Sequence, residues 1–192
     1  AQSKSPLMHG HWLRKNHISG DYIAIDIPPM RFNTTVRTLF DVGFSGFNVT
    51  IPHKEQALAF ADDMSSRAHR IGAANTLIKM DSGKISADNT DGYGFMTNLA
   101  LQSNTWQPSA GPSLVLGAGG AARAVLVALL DAGAPKIYLC NRTQARAENL
   151  ATDISDRVEV IDWQNKVNVL PEVVTVVNST SLGMTGKPAL QF

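Results

Sequence analysis

Gly117, Gly119 and Gly120 sit between an apolar run and an alanine-rich one, in the stretch Leu114-Val-Leu-Gly117-Ala118-Gly119-Gly120-Ala121-Ala122. The stretch fits G-x-G-x-x-G/A. That spacing carries a definite chemistry only when an apolar strand precedes it and a helix follows, and both patterns are present here. Gly117 permits a tight turn, Gly119 lets a pyrophosphate approach the backbone, and Ala122 allows close helix–strand packing. Exposed amides and the helix dipole then favour an anion. The bland alternative is a glycine-rich βα turn without a ligand. The full context favours a dinucleotide site formed by Gly117, Ala118, Gly119, Gly120 and Ala121.

The next strand selects the cofactor. An NAD-binding unit carries Asp or Glu about 20 residues on, accepting from the ribose 2′-OH. Here the strand ends in Cys140-Asn141-Arg142-Thr143, with no carboxylate. The Arg142 guanidinium can face a 2′-phosphate bidentately. Arg146, four residues later, can reach the same group. Arginine at a helix start opposes the dipole, and a bound anion would explain the placement better than two solvated side chains do. The residues therefore read as NADP-binding.

Strand-like and helix-like segments alternate around this turn. Ser5-Pro6 reads as an N-cap with proline at the first helical position, opening a helix to residue 15. Residues 22–27 are apolar and partly β-branched and read as a strand. Phe32, Val36, Leu39 and Phe40 share one helical face, and Gly43 supplies the stop. A strand over 46–51 and short helices over 54–60 and 66–70 follow. Asp81-Ser82-Gly83 signals a hairpin between 76–80 and 84–87. A helix runs from Asp91-Gly92 to residue 102. The Ser-, Asn-, Gly- and Pro-rich stretch 103–112 is the best domain boundary. Beyond it, strands at 113–116, 136–140, 158–161 and 173–178 alternate with helices at 121–132 and 144–152. That rhythm implies a parallel sheet with helices on its faces.

Composition bounds the class. The chain has 192 residues, 44% hydrophobic and 17% charged, with a net charge of +1. This argues against disorder and leaves no electrostatic footprint for nucleic acid or an anionic membrane. No apolar run approaches the ~20 residues of a spanning helix. The single cysteine, Cys140, forms no internal disulfide, and a reducing cytoplasm is the simplest compartment.

The first half narrows the reading. Asn48-Val-Thr50-Ile-Pro-His-Lys54, Ile71-Gly-Ala-Ala-Asn75-Thr and Asn89-Thr-Asp91-Gly-Tyr-Gly follow one another. With Ser3-Lys-Ser5-Pro, Gly117–Arg123, Asn141-Arg-Thr and Asn178-Ser-Thr180-Ser181-Leu-Gly-Met184, the chain closely resembles the shikimate/quinate dehydrogenase family, and shikimate dehydrogenases within it. The resemblance covers essentially the whole chain, with the motifs in the family's order.

That resemblance implies an α/β protein of two α/β domains: a substrate-binding, catalytic domain over 1–103 and an NADP-binding Rossmann-type domain over 104–192. It implies that Ser3 and Ser5 bind the substrate carboxylate, that Thr50, Asn75 and Asn89 contact substrate, and that Lys54 is catalytic with Asp91 as its acidic partner. Asn141, Arg142, Thr143 and Arg146 would clasp the adenosine phosphate. Thr180, Ser181 and Met184 would lie beside the nicotinamide. The implied activity is NADP-dependent interconversion of shikimate and 3-dehydroshikimate, in the pathway to aromatic amino acids. The expected partners are that small-molecule substrate and at most a second copy of the chain in a homodimer, with no nucleic acid and no membrane.

The chemistry is coherent in its own terms. Oxidising a ring hydroxyl needs a hydride acceptor on one face and a proton acceptor at the oxygen, and a lysine hydrogen-bonded to an aspartate can take the second task. Serine and threonine hydroxyls suit a carboxylate, and asparagine amides suit a polyol. A neighbouring carboxylate favours the charged form of a lysine. Charged Lys54 is a ready acid for ketone reduction and a poor base for alcohol oxidation, so oxidation should speed up towards alkaline pH.

Taken singly, Lys54 reads as a solvated helix-start lysine, Asp91 as an N-cap and Asn75 as a turn residue. Their co-occurrence in ordered motifs favours the active-site reading. His9, His11, His17, His53 and His69 show no metal spacing, so no metal is expected. Met96 and Leu99 read as helix core, and Cys140 as inert packing. A quinate or quinate/shikimate dehydrogenase is the nearest alternative. Its members can prefer NAD, which Ser5 and Asn141-Arg142-Thr143 speak against. A shikimate-sensing regulator without catalysis is the alternative of another class, and it would most simply have lost Lys54 or Asp91. The chain opens on Ala1 rather than Met and closes on Pro188-Ala-Leu-Gln-Phe192. It lacks the family's glycine-containing first strand and its C-terminal segment, so both domains read as truncated at the chain ends. Gln191 falls too early in the pattern to match the family's substrate-contacting glutamine.

Overall fold

The computed structural model describes residues 3–192. The chain divides after Val42 into two compact units, the second beginning at Gly43.

The first unit holds α1 (Ser5–Lys15) and α2 (Phe32–Asp41). On α2 the apolar spacing buries Phe32, Val36 and Phe40 along one face, as the 3.6-residue period requires. Two expectations are corrected here. Ser5 is the first helical residue rather than the N-cap. Lys4 takes that place without a side-chain cap, and the Ser5 N–H donates instead to Ser3 Oγ at 3.3 Å. Residues 22–27 are a strand of neither sheet. A β-rich sequence becomes a strand only where a neighbour completes its ladder.

The second unit carries two sheets. The first contains β1 (Gly46–Asn48), β2 (Asp63–Met64), β3 (Thr76–Lys79) and β4 (Ile85–Asp88) in the order β1-β3-β4-β2. β3 and β4 form the expected antiparallel hairpin, with Thr76 opposite Asp88. The short β2 has no sequence pattern and pairs parallel to β4. β1 ends at Asn48, short of the expected residue 51, because the Thr50 carbonyl accepts from the His53 N–H and closes a turn. Helices α3 (Lys54–Phe60) and α4 (Ser66–Ile71) flank this sheet, and α5 (Asp91–Gln102) leaves it.

The second sheet is all parallel: β5 (Ser113–Leu116), β6 (Ile137–Cys140), β7 (Val158–Val160) and β8 (Thr175–Asn178) in the order β7-β6-β5-β8. Helices α6 (Gly120–Asp131) and α7 (Gln144–Ile154) make the crossovers. Every residue of β5 and β6 is buried, as expected for parallel strands covered on both faces. Val115, Ile137 and Leu139 pack under α6 and α7, while Leu114, Leu116 and Cys140 face the opposite layer. The strand order reverses at β5, so the crevice for a ligand lies at the carboxyl ends of β5 and β8. Helix α6 also packs against the first sheet's helices, where Ile71 and Ala73 meet Ala124 and Val127.

Candidate active site

Lys54 and Asp91 each open a helix, and those two helix starts meet. The Lys54 carbonyl accepts from the Ala74 N–H at 2.8 Å, which ties the start of α3 to the turn at 71–75. The Lys54 Nζ donates to Asp91 Oδ2 at 2.5 Å, with the two side chains 11% and 29% exposed. The other carboxylate oxygen, Oδ1, accepts from Asn75 Nδ2 at 2.9 Å. Asn75 is itself pinned, donating to Thr90 Oγ1 at 3.0 Å and accepting from the Thr90 N–H at 3.1 Å and from Thr76 Oγ1 at 2.8 Å.

Asn89 is 1% exposed. Its amide donates to the Ala73 carbonyl at 2.8 Å, and its Oδ1 accepts from the Asp91 N–H at 3.0 Å. Asn89 thereby satisfies an amide at the start of α5. Asp91 is the first helical residue and not the N-cap, so its carboxylate is left for Lys54.

The preceding residue braces the loop. Asp88 accepts from Arg67, from Ser65 Oγ at 2.6 Å and from the Asn89 N–H at 2.7 Å. The Arg67 hydrogen bond is the largest cause that holds the Asp88 carboxyl well below the usual carboxylate range. Ser65 in turn caps α4, accepting from the Ala68 N–H at 3.2 Å.

The glycine turn sits at the switch point of the parallel sheet. Gly117 has φ +105°, and a Cβ there would stand 2.7 Å from Ser179 Oγ. Only glycine meets both conditions. Ser179 is held by donating to the Leu116 carbonyl at 2.7 Å. A Cβ at Gly119 would have no neighbour within 4 Å, so the face of that residue is open. A cleft of ≈ 290 Å³ is lined by the turn from Gly117 to Ala121 together with Lys54, Asn141, Arg146 and Thr180. An open glycine face, amides at a helix start and a guanidinium fit a phosphorylated dinucleotide.

The structure thus brings Lys54, Asp91, Asn75 and Asn89 together, and brings Lys54, the glycine turn, Asn141, Arg146 and Thr180 to one cleft. Thr50, Arg142, Thr143, Ser181 and Met184 are exposed and are not among the cleft's lining residues. Ser3 and Ser5 belong to the first unit, where Ser5 hydrogen-bonds Tyr22 and His9 stacks on the Tyr22 ring at 4.2 Å. Ile51, Pro52, Glu55 and Ser179 also line the cleft and were not singled out from sequence. Ile51 and Pro52 lie inside the Asn48–Lys54 motif and Ser179 inside the Asn178–Met184 motif, and Glu55 directly follows the first. Arg123, beside Glu55 at 3.9 Å, donates to Asp153 at 2.8 Å. Burial pushes the Cys140 thiol up to about 11, in keeping with inert packing. Among the described residues no three His, Cys, Asp or Glu side chains gather to hold a metal ion, and no helix is long and apolar enough to cross a membrane.

Comparison with known proteins places these features in context. Residues 1–77 match the family described as "Shikimate dehydrogenase substrate binding domain", and residues 101–184 match "Shikimate / quinate 5-dehydrogenase". The chain is 53% identical to the "Shikimate dehydrogenase (NADP(+))" of Roseobacter denitrificans, over 100% of this chain and 69% of that protein. Its fold matches the crystal structure of shikimate dehydrogenase from Aquifex aeolicus with a TM-score of 0.90 at 33% identity, covering 100% of this chain and 69% of that one. It also matches shikimate 5-dehydrogenase from Thermus thermophilus in complex with NADP(H) and shikimate, with a TM-score of 0.80 at 36% identity, covering 95% of this chain and 65% of that one.

Proposed function

The chain belongs to the shikimate dehydrogenase family, and on that premise we propose that it carries the catalytic pair and cofactor turn for the NADP-dependent, reversible reduction of 3-dehydroshikimate to shikimate. The observation that carries the reading is the placement of Lys54. Its Nζ is bonded to Asp91 at 2.5 Å, and its side chain lines the same cleft as the glycine turn.

NADP, when bound, supplies the hydride donor or acceptor. The amides of the turn at Gly117–Gly120 hold its pyrophosphate. Asn141, Arg142, Thr143 and Arg146 recognise the adenosine phosphate, with Asn141 and Arg146 lining the cleft. Thr180, Ser181 and Met184 form the nicotinamide side.

In ketone reduction, Lys54 gives its proton to the ring oxygen. In alcohol oxidation it takes that proton back. Asp91 holds the ammonium in place and offsets its charge, while Asn75 keeps its carboxylate from rotating and Asn89 anchors its backbone N–H. Ser3, Ser5 and Thr50 donate to the substrate carboxylate, and Asn75 reaches the ring hydroxyls by exchanging its bonds to Thr90 for bonds to substrate. Buried Asn89 serves the substrate through Asp91. Residues 1–103 are the substrate and catalytic domain, and residues 104–192 the NADP-binding domain. The setting is a cytoplasmic biosynthetic enzyme that acts on a small molecule without nucleic acid or membrane, alone or as a homodimer.

Steady-state assays of shikimate and quinate, each with NADP and NAD, test the reading. Turnover highest with shikimate and NADP is the expected result, and a preference for quinate with NAD overturns it. In Lys54→Ala, shikimate binding should survive while turnover collapses. A wild-type protein that binds shikimate and turns nothing over favours the sensor instead.

A further inference from the structure

The glycines of the dinucleotide turn are not equivalent. A Cβ at Gly119 would meet nothing within 4 Å, whereas one at Gly120 would stand 3.1 Å from Lys54 Cβ, 3.3 Å from Cδ and 3.7 Å from Cγ. The neighbour over Gly120 is the aliphatic stem of the proton-transfer lysine. Gly120 is also the first residue of α6, outside the left-handed region, so its backbone does not require glycine. What requires glycine is the space.

The lysine has little freedom to yield. Its side chain is 11% exposed, its Nζ is bonded to Asp91 Oδ2, and Asp91 Oδ1 is bonded to Asn75. Its backbone carbonyl is tied to Ala74. On the other side, α6 is held against α5 where Gly92 meets Ala124. A methyl group at 120 would have to displace the lysine stem by a few tenths of an ångström, and Nζ with it.

We propose that Gly120 is a positioning residue for Lys54. Its missing side chain forms the seat of the lysine stem, so the place of the acid–base group is set by the same turn that holds the cofactor, while Gly119 is the glycine that admits the phosphate. The inference rests on Lys54 being the proton-transfer group.

The test compares Gly120→Ala with Gly119→Ala in the protein able to turn over shikimate. Three quantities are measured: kcat, the NADP dissociation constant by calorimetry, and the Lys54 Nζ resonance by NMR without cofactor. Gly120→Ala should lower kcat by about tenfold or more, because sub-ångström misplacement of a reacting group is costly. It should leave NADP affinity within about twofold, since the amides remain in place, and it should move the Lys54 resonance. Gly119→Ala should weaken NADP binding by about tenfold or more, its methyl filling the face through which the pyrophosphate approaches the backbone, and should leave the resonance unmoved. Unchanged kcat in Gly120→Ala, an unmoved resonance, or a loss of NADP affinity in step with turnover overturns the inference. If the wild-type protein turns nothing over, the resonance and NADP binding still decide whether Gly120 seats Lys54, and only the catalytic reading falls.

Discussion

Gly92, the residue after Asp91, faces the Ala124 carbonyl of α6 so closely that a Cβ at 92 would stand 3.0 Å from that oxygen and 3.2 Å from Ala128 Cβ. This contact sets how near α5 can come to α6, and so how near Asp91 comes to the glycine turn at the start of α6. Alanine at 92 improves helix propensity by up to about 1 kcal/mol. Overpacking a tight contact costs about 1–3 kcal/mol. Gly92→Ala should therefore lose stability in urea denaturation, and kcat should fall with it. A variant more stable than wild type would show that the helices part freely.

Lys54→Met keeps the aliphatic stem over Gly120 and removes the group proposed as proton donor. Turnover should fall by about 10²–10⁴-fold, the usual worth of general acid–base catalysis. NADP affinity, measured by calorimetry, should stay within about twofold, because methionine preserves the packing. Equal loss of binding and turnover would move Lys54 from catalysis to structure.

Arg146 lines the cleft and Arg142 does not. Arg146→Ala should weaken NADP by about 10–100-fold, the worth of a charge-assisted hydrogen bond to phosphate at about 1.5–3 kcal/mol. NAD, which lacks the 2′-phosphate, should bind with unchanged affinity, and Arg142→Ala should have the smaller effect. Equal losses for the two cofactors would place the arginine on the shared part of the molecule.

Asp88 is held below the usual carboxylate range, first by Arg67 and, after an opposing effect of burial, by Ser65 and the Asn89 N–H. A depressed folded-state value contributes stability above the unfolded value of about 4 and loses it as pH falls below that. Asp88→Asn should cost about 1–2 kcal/mol at neutral pH for this partly exposed pair. The gap between wild type and variant in urea midpoints should close as pH drops below about 4. A gap independent of pH would assign the loss to packing rather than charge.

Cys140 is fully buried in β6, and its thiol is pushed up to about 11 by burial. The thiolate is the reactive form. Alkylation near pH 8 should therefore be slow in the native protein and track unfolding in denaturant. Rapid labelling of the folded chain would show an opening of the parallel sheet beside the glycine turn.

The parts legible in the sequence are those whose cause is local. The apolar run of β5, the glycine turn and the alanine-rich α6 are contiguous, so pattern and spacing place the strand–turn–helix unit directly. The absence of a carboxylate after Cys140 and the presence of Arg142 and Arg146 lie in one short segment, and the cofactor preference follows from it. Helix faces such as Phe32, Val36 and Phe40 follow from a fixed period. The segment 22–27 shows the limit: β-rich composition is local, whereas a strand needs a partner that composition does not name.

The tertiary structure decided what depends on two elements meeting. Lys54 and Asp91 lie 37 residues apart, and each alone reads as an ordinary helix-start residue. Their 2.5 Å contact exists because Ala74 ties down α3 while Gly92 lets α5 approach α6. That Asn89 satisfies the helix-start amide and so leaves Asp91 for the lysine, and that the Lys54 stem stands against the open side of Gly120, are likewise consequences of packing. Spacing along a chain encodes which face of an element is apolar. It does not encode the distance between faces of different elements, because that distance is set by the side chains that fill, or fail to fill, the space between them.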